Sequence, residues 1–240
     1  ITTGVEENKF GINPWDRERV VQFITTAKNI RWVGLHFHIG SQITNFDVFR
    51  GLCTRINEIQ SWFAENKLIP EIINVGGGLG IDYSHPDDEG PDFKTYFDIF
   101  KHHLDLQPGQ VVHFEPGRAL IAPSGSLISR VLYIKEGVKT NFAILDAGMT
   151  ELIRPALYQA YHAIQNLTAT GAAKSYDVVG PICESSDCFG KAVYLPETHR
   201  GDLIAIRSTG AYGETMSSNY NLRKKVKTWY SDEIQSNEPI

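Results

Sequence analysis

The chain has 240 residues, typical of one or two domains, and its 42% hydrophobic and 21% charged side chains exclude an intrinsically disordered protein. Lys and Arg total 23 against 28 Asp and Glu, and the formal net charge of -5 disfavours a nucleic-acid-binding protein. We expect no membrane span and no signal peptide, because no apolar run approaches the roughly 20 residues that a span needs. Cys53, Cys183 and Cys188 are odd in number and lack zinc-site spacing, which favours a reducing, cytoplasmic compartment and no metal.

The first half of the chain alternates predicted helices with predicted strands. Apolar residues recur there at three- and four-residue steps, which predicts helices over 16–30, 47–67 and 92–106. Asn45 or Asp47 is placed to cap the second helix. Short apolar runs between the helices predict strands over 33–39, 71–75 and 111–114. This alternation predicts parallel βα units.

The second half has a different pattern, with short strands and few helices. Strands are expected over 126–135, 141–146, 176–180, 191–195 and 202–208, and one helix over 155–165. Strands at this spacing, separated by Gly, Pro and polar turns, predict an antiparallel β-sandwich or barrel. The change of pattern near residues 119–126 predicts two domains, covering 1–120 and 121–240.

Each predicted strand of the first half ends in residues suited to ligand binding, and parallel βα folds gather functional residues at these ends. The first strand runs into His36, His38 and Ser41, although a lone histidine is more often a core residue. The second ends in Gly76-Gly77-Gly78, whose N–H groups could hold a phosphate, although glycines more often mark a tight turn. The third ends in Glu115-Pro116-Gly117-Arg118, for which a structural salt bridge is the alternative.

Three clusters stand out in the second half. Arg154 and Tyr158 are four residues apart and share a face if the segment is helical, although ordinary surface residues would show the same spacing. The segment 183–188 (CESSDC) lacks the four ligands of a closed zinc site, which favours a reactive or proton-donating thiol, with inert loop cysteines as the alternative. Tyr212 lies between glycines in a predicted turn, where an aromatic without a packing role is unusual.

Six motifs, read in chain order, resemble the diaminopimelate decarboxylase family of fold-type III enzymes, which use pyridoxal 5'-phosphate (PLP). They are HFHIGSQI (36–43), NVGGGLGIDY (74–83), FEPGRAL (114–120), LDAGMTELIRPALY (145–158), GPICESSD (180–187) and TGAYGETMSSNYN (209–221). The resemblance, which covers residues 1–221, implies an α/β plus β fold: the last strands of an alanine-racemase-like (β/α)8 barrel, then a C-terminal β-domain. It also implies decarboxylation of meso-2,6-diaminopimelate to L-lysine and CO2, a step of lysine biosynthesis.

The resemblance implies cofactor roles for residues at the predicted strand ends. Glu115 pairs with the protonated ring nitrogen of PLP, and His38 stacks on the ring. Tyr212 also contacts the cofactor. The phosphate group is held by Ser41, Gly76, Gly77, Gly78 and the turn of Pro116, Gly117 and Arg118.

The resemblance also implies how the far end of the substrate is recognised. Arg118 and Arg154 bind the distal carboxylate, and Tyr158 adds a hydrogen bond. Glu184 takes the distal ammonium, and Tyr212 also lines the substrate site. A substrate without the far carboxylate leaves buried groups unpaired, which favours diaminopimelate over lysine-like acids.

Cys183 corresponds, by the same resemblance, to the proton donor that acts after CO2 has left. In this family the loop of Cys183 and Glu184 enters the active site of the neighbouring subunit. The resemblance therefore implies a homodimer with shared active sites and a small amino acid as substrate, with no nucleic-acid or membrane partner.

One defining feature of the family has no match in this sequence. The Schiff-base lysine lies in a Tyr-Ala-x-Lys-Ala-Asn-like segment of the early barrel, and neither Lys9 nor Lys28 has that context. We therefore expect the early barrel strands to be absent from this chain, while residues 222–240 follow the family only loosely. Two alternatives remain open: a decarboxylase of another basic amino acid or carboxy-polyamine, and a non-catalytic binding homologue without the lysine.

Overall fold

A computed structural model describes residues 9–232 of the protein. These residues form two units, one containing 9–82 and 87–123 and the other containing 83–86 and 124–232. The first eight residues of the resemblance and the expected solvated end at 237–240 lie outside the described residues. No helix within residues 9–232 combines the length and the apolar character that a membrane crossing requires.

Within the described residues, the first unit contains four α-helices and three strands, after a 3-10 turn at Pro14–Asp16. The helices are α1 (Arg17–Thr26), α2 (Asp47–Glu65), α3 (Phe93–His103) and α4 (Gly117–Ile121). The strands are β1 (Gly34–His36), β2 (Ile72–Asn74) and β3 (Val111–His113). They form one parallel sheet in the order β1–β2–β3, so the prediction of parallel βα units is confirmed.

Aromatic side chains from α2 and α3 form the centre of the first unit's core. Phe49 is completely buried, and its ring meets the ring of Tyr96 edge-on, with the centroids 5.0 Å apart. Phe100 and Phe114 extend the cluster, with a centroid distance of 5.2 Å. Ile73 of the central strand is also completely buried in this core. The helices therefore cover the sheet and hold its strand ends in place.

The start and end of two helices differ from the predictions. Helix α1 ends at Thr26 rather than at residue 30, because the backbone of Ala27 is extended (φ -70°, ψ 126°). No residue of α1 is buried, so no packed face favours a longer helix. Before α2, Phe46 holds the N-cap position without a side-chain hydrogen bond. The Asn45 side chain nevertheless accepts the backbone N–H of Asp47 at 2.9 Å, so Asn45, one of the two predicted capping residues, does satisfy an N–H of the first turn.

The second unit contains, within the described residues, six strands, one α-helix and two 3-10 turns. The strands are β4 (Leu127–Glu136), β5 (Asn141–Leu145), β6 (Ile164–Asn166), β7 (Ala173–Val179), β8 (Cys188–Pro196) and β9 (Leu203–Ile206). The helix is α5 (Arg154–Tyr158), and the turns are Glu214–Met216 and Tyr220–Leu222. The sheet order is β6–β9–β4–β5–β7–β8, and the two edge strands approach each other, which makes the sheet barrel-like.

Two features of the second unit correct the predictions. The sheet is not wholly antiparallel, because β5 and β7 pair in parallel after a long connection through α5 and β6. The helix predicted over 155–165 is wrong, since α5 ends at Tyr158. Gln159 adopts a left-handed conformation (φ 53°) that stops the helix, and the unpredicted strand β6 follows.

The core of the second unit lies on one face of this sheet. Val178, Leu145 and Ile204 come from three different strands, and all are completely buried. Tyr176 is also buried, and its hydroxyl accepts the backbone N–H of Thr198 at 3.0 Å. The loops of the second unit that carry candidate functional residues are therefore connected to strands of a well-packed sheet.

Candidate active site

The loops after the three parallel strands, residues 37–43, 75–82 and 114–118, are here called the strand-end loops. The backbone N–H of Glu115 donates to the carbonyl oxygen of Gly76 at 2.7 Å. The N–H of Ile43 donates to the carbonyl oxygen of Gly78 at 2.8 Å. These two bonds tie the middle loop to both of its neighbours. The structure therefore brings together the three motifs that the sequence placed at the strand ends.

Three consecutive glycines allow the strand-end loops to come this close. A Cβ on Gly76 would lie 2.3 Å from the carbonyl oxygen of Phe37, and one on Gly77 would lie 2.1 Å from that of Glu115. Real Cβ atoms do not approach backbone oxygens so closely. Gly76 and Gly78 also have positive φ angles of 70° and 99°, which other residues adopt only with strain.

Two of these three glycines present backbone N–H groups that have no acceptor in the part of the chain that the structure describes. The N–H of Gly76 donates to Asn74 Oδ1 at 2.8 Å. Among residues 9–232, the N–H groups of Gly77 and Gly78 find no acceptor, although Gly77 is buried. Buried amides nearly always have a partner, and neighbouring amides of this kind form anion-binding concavities. The loop therefore fits a phosphate group such as that of PLP, which the resemblance implies.

Glu115 is the charged group beside these glycines. One carboxylate oxygen accepts Asn74 Nδ2 at 2.9 Å, and the other lies 3.3 Å from His36 Nε2. The hydrogen bond from Asn74, followed by the proximity of His36 and His38, lowers the pKa of Glu115. Its partners do not include Arg118, so the alternative of a Glu115–Arg118 salt bridge is wrong. An ionised carboxylate at this position fits a protonated pyridine nitrogen.

His36 and His38 project away from the core of the first unit. The intervening Phe37, together with Leu35 and Ile39, packs against that core, while both histidines are exposed. The alternation along β1 and its loop therefore places the two imidazoles on the same side as Glu115. The alternative that they are core histidines is wrong.

Ser41 and Arg118 join the first and third strand-end loops. Arg118 is only 5% exposed, and its Nη2 donates to Ser41 Oγ at 3.0 Å. Pro116 precedes the short helix α4, and the N–H of Gly117 donates to the carbonyl oxygen of Glu115 at 2.8 Å. The predicted Glu-Pro-Gly-Arg turn is thus continued by a helix that the sequence analysis did not predict.

Helix α5 carries Arg154 at its first residue and Tyr158 at its last, in the helical relation that their spacing predicted. Arg154 is 5% exposed, whereas Tyr158 is 43% exposed. The Arg154 Nη1 atom lies 2.7 Å from Nε2 of His162, and its guanidinium carbon lies 4.9 Å from the ring centroid of Tyr83. Arg154 is therefore a buried and fixed cation rather than an ordinary surface residue.

Residues 180–187, here called the Cys183 loop, are organised by the buried carboxylate of Asp187. Its Oδ1 accepts the backbone N–H of Met149 at 2.6 Å, and its Oδ2 accepts that of Ile182 at 2.7 Å. Burial raises the pKa of Asp187, while these two bonds act in the opposite direction. Cys183 and Glu184 lie exposed on the loop that Asp187 holds.

Two tyrosines follow in the segment after β9. The Tyr220 hydroxyl donates to Glu184 Oε1 at 2.5 Å, and this bond raises the pKa of Tyr220. Tyr212 has a positive φ of 61°, an unusual conformation for a residue with a side chain, and is 42% exposed. Such backbone conformations concentrate at functional sites, which agrees with the binding interpretation of this turn.

A family model described as the pyridoxal-dependent decarboxylase C-terminal sheet domain matches residues 24–210. The chain belongs to this decarboxylase family. The resemblance deduced from the six motifs is thereby confirmed. Membership agrees with the Gly77 and Gly78 N–H groups, which have no acceptor among residues 9–232.

Several individual relatives of this chain are diaminopimelate decarboxylases. The diaminopimelate decarboxylase of Bacteroides thetaiotaomicron is 57% identical over 235 residues, which are 98% of this chain and 61% of that protein. The diaminopimelate decarboxylase of Haemophilus influenzae is 39% identical over 238 residues, covering 98% of this chain and 57% of that protein. The crystal structure of diaminopimelate decarboxylase from Helicobacter pylori complexed with L-lysine matches with a TM-score of 0.86 and 37% identity, covering 94% of this chain and 56% of that one. The chain therefore spans less than two thirds of the length of these relatives.

Sequence reasoning missed several residues that hold the candidate functional side chains in place. Asn74 and Tyr220 lie inside motifs that were quoted, but their hydrogen bonds to Glu115 and Glu184 become visible only in the structure. Asp187 lies in the segment 183–188, but the sequence did not indicate that it holds this loop. His162 lies outside the six motifs, and no sequence signal distinguished it.

Substitution of Asp187 by Asn is expected to loosen the Cys183 loop. An amide side chain has only one good acceptor, so it cannot accept both the Met149 and Ile182 N–H groups. A hydrogen bond to a charged group contributes about 1.5–3 kcal/mol, and we therefore expect hydrogen exchange at these two amides to accelerate roughly tenfold or more. Asp177→Asn is the control, since Asp177 accepts a single N–H, that of Ala192, at 2.8 Å. Equal exchange rates at Met149 and Ile182 in D187N and the unsubstituted protein would contradict this role.

Proposed function

We propose that this chain contributes cofactor- and substrate-binding residues to a PLP-dependent decarboxylase that converts meso-2,6-diaminopimelate to L-lysine and CO2. Residues 1–120 belong in this proposal to the PLP-binding barrel, and residues 121–240 form the β-domain with the substrate and proton-donor residues. The observation that carries the proposal is the pair of N–H groups of Gly77 and Gly78, which have no acceptor within residues 9–232, next to the ionised Glu115. The 57% identity to a diaminopimelate decarboxylase supports the choice of substrate.

The strand-end loops provide the residues for the cofactor. Gly76, Gly77 and Gly78, with Ser41 and the turn of Pro116, Gly117 and Arg118, hold the phosphate group, and His38 stacks on the ring. Glu115 keeps the ring nitrogen protonated, because its ionised carboxylate accepts a charge-assisted hydrogen bond. When bound, PLP supplies an electron sink for the bond between Cα and the departing carboxylate. Tyr212 is a further cofactor contact in this proposal.

The side chains proposed to bind the far end of the substrate include both positively and negatively charged groups. Arg154 binds the distal carboxylate, since a fixed guanidinium presents its donors in the geometry of a carboxylate. Arg118 binds the same carboxylate together with Arg154, and Tyr158 adds a hydrogen bond. Glu184, oriented by the hydroxyl of Tyr220, accepts the distal ammonium. Substrates that lack the far carboxylate leave Arg154 without this partner, and they are therefore disfavoured.

Cys183 is the proton donor of the proposal. It is an exposed thiol on a loop fixed at Asp187, so it can deliver a proton to the carbon that has lost CO2. The other two thiols are less suited to this role, because burial raises the pKa of Cys53 to about 11 and also raises that of Cys188. A buried thiol of this kind is inert.

We also propose that the protein is a homodimer in which the Cys183 loop serves the active site of the partner. The exposure of Cys183 and Glu184 supports this arrangement. The test mixes an inactive Cys183→Ala protein with an inactive Glu115→Ala protein. Hybrid dimers with shared sites contain one site with neither defect, so activity should return to about a quarter of the unsubstituted level. No recovery after mixing and subunit exchange argues against shared sites.

A reducing, cytoplasmic location belongs to the same proposal. It is supported by the state of the three cysteines, which are all free thiols in the structure. Disulfides are rare in that compartment.

The proposed reaction is tested with the full-length protein loaded with PLP. The strand-end loops contain no lysine, so the residue that holds the cofactor covalently is not among them. We expect release of CO2 from meso-diaminopimelate with L-lysine as product, and little reaction with ornithine or arginine. Activity only on ornithine or arginine would assign the protein to another basic amino acid. PLP binding without any decarboxylation would indicate a non-catalytic binding homologue.

A further inference from the structure

We propose that His162 is the positioning residue for substrate specificity, because it orients the guanidinium of Arg154 toward the distal carboxylate. This inference rests on the proposed function, and it assigns a task to a buried histidine that lies outside the six motifs. His162 is 2% exposed and follows helix α5 in the irregular segment before β6.

The hydrogen bonds of His162 define which of its nitrogens carries the proton. Nη1 of Arg154 lies 2.7 Å from Nε2, and a guanidinium can only donate, so Nε2 accepts. Nδ1 therefore carries the proton and donates to the carbonyl oxygen of Arg207 at 2.8 Å. The imidazole thus connects the backbone at the end of β9 to one edge of the Arg154 guanidinium.

The ring of Tyr83 packs against both His162 and Arg154. It meets the His162 ring edge-on at 5.0 Å between centroids, and the Arg154 guanidinium lies over it at 4.9 Å. Tyr83 therefore fixes the plane of the guanidinium, while His162 fixes its rotation within that plane. Only a fixed guanidinium can form two parallel hydrogen bonds to a carboxylate without a further loss of side-chain entropy.

The chemistry of the histidine explains why this residue type suits the position. An imidazole with a neutral ring accepts one N–H from Arg154 and orients the guanidinium through a hydrogen bond rather than through an opposite charge. The arrangement therefore prepares Arg154 for a ligand that carries a carboxylate at its far end.

Two substitutions separate orientation of Arg154 from packing at residue 162. His162→Asn keeps a donor near Nδ1 but loses the acceptor at the Nε2 position, whereas His162→Gln places an acceptor near Nε2. In the PLP-loaded full-length protein, we expect H162N to raise KM for diaminopimelate roughly tenfold, with a smaller change in kcat. H162Q should recover most of the loss. The control is His102→Asn, since His102 is exposed on α3 and its Nδ1 meets only the carbonyl oxygen of Asp98 at 2.6 Å.

Ligand binding provides a measurement that does not depend on turnover. Decarboxylation at one end leaves L-lysine with the distal carboxylate, whereas cadaverine, with the same two amines, has none. We titrate both compounds into each variant and follow the absorbance of bound PLP. H162N should weaken L-lysine binding roughly tenfold and leave cadaverine binding unchanged.

The outcomes distinguish the inference from the function on which it rests. Equal weakening of L-lysine and cadaverine in H162N, or an unchanged KM for diaminopimelate, would overturn the role of His162. If H162N folds poorly, H162Q is compared with the unsubstituted protein instead. A selective loss of L-lysine binding in H162Q would contradict the role of Nε2 of His162 as a hydrogen-bond acceptor. If the unsubstituted protein does not decarboxylate diaminopimelate, the proposed function fails, while the two ligand titrations still judge His162.

Discussion

Replacing Cys183 with alanine in the PLP-loaded full-length protein is expected to lower turnover of diaminopimelate roughly 10²–10⁴-fold, the range for a lost general acid. The absorbance of bound PLP should remain, because Cys183 lies on the Cys183 loop, whereas Gly77, Gly78 and Glu115 belong to the strand-end loops. Steady-state release of CO2 measures the first effect, and the visible spectrum measures the second.

Cys188→Ala is the matched control, since it removes a second thiol five positions further along the chain. Cys188 is partly buried at the start of β8, and burial raises the pKa of its thiol, so it is not expected to donate a proton. We expect the turnover of this variant to lie within a factor of about three of that of the unsubstituted protein. Cys188 does not take part in the proposed reaction, so its loss should leave the stabilisation of the transition state unchanged. Unchanged turnover in C183A would mean that another group delivers the proton.

The second large effect is expected for Gly77→Ala, which should abolish PLP binding and destabilise the first unit. The new Cβ would lie 2.1 Å from the carbonyl oxygen of Glu115, and a backbone oxygen cannot swing aside as a flexible side chain can. The second and third strand-end loops must then separate. Such overpacking costs about 1–3 kcal/mol or more, and it displaces both the phosphate-binding N–H groups and Glu115.

Gly51→Ala provides the opposite expectation in the same unit. Gly51 lies within α2, and nothing lies within 4 Å of a Cβ added there. Alanine should stabilise this helix position by about 0.5–1 kcal/mol. Urea unfolding measures both changes, and fluorescence titration with PLP measures cofactor affinity. A G77A protein that binds PLP as tightly as G51A would contradict the assignment of the glycines.

The sequence was sufficient to predict the elements whose side-chain pattern is set by one continuous buried face. Helices α2 and α3 have buried apolar residues at regular steps, and the predicted helices overlap them closely. Glu115 and the three glycines were also placed correctly at strand ends, because parallel strands bring their carboxyl ends together.

The region around Arg154 could not be predicted from local pattern. The apolar residues after Pro155 suggest a helix to residue 165, yet Gln159 adopts a left-handed conformation and the chain turns toward β6. What holds this segment is the contact of His162 with Arg154 and with the carbonyl oxygen of Arg207, 45 residues away. Periodicity contains no information about contacts at such separations.

The two acids of the Cys183 loop show the same limit. Glu184 and Asp187 look equivalent in sequence, but Glu184 is exposed and Asp187 is 3% exposed. Their difference arises from the N–H of Met149, which reaches Asp187 from a distant loop. The sequence therefore indicated the position of the loop. Only the structure shows that Asp187 holds the loop in place, whereas Glu184 is exposed.

The bond between Met149 and Asp187 also bears on the order in which the protein folds. Its partners are separated by 38 positions, and closing so long a loop costs entropy that only the assembled sheet can offset. We therefore expect the Cys183 loop to become ordered after β5, β7 and β8 have paired. A folding intermediate of the second unit would then contain a formed sheet and an unfixed Cys183, and activity would recover later than secondary structure during refolding.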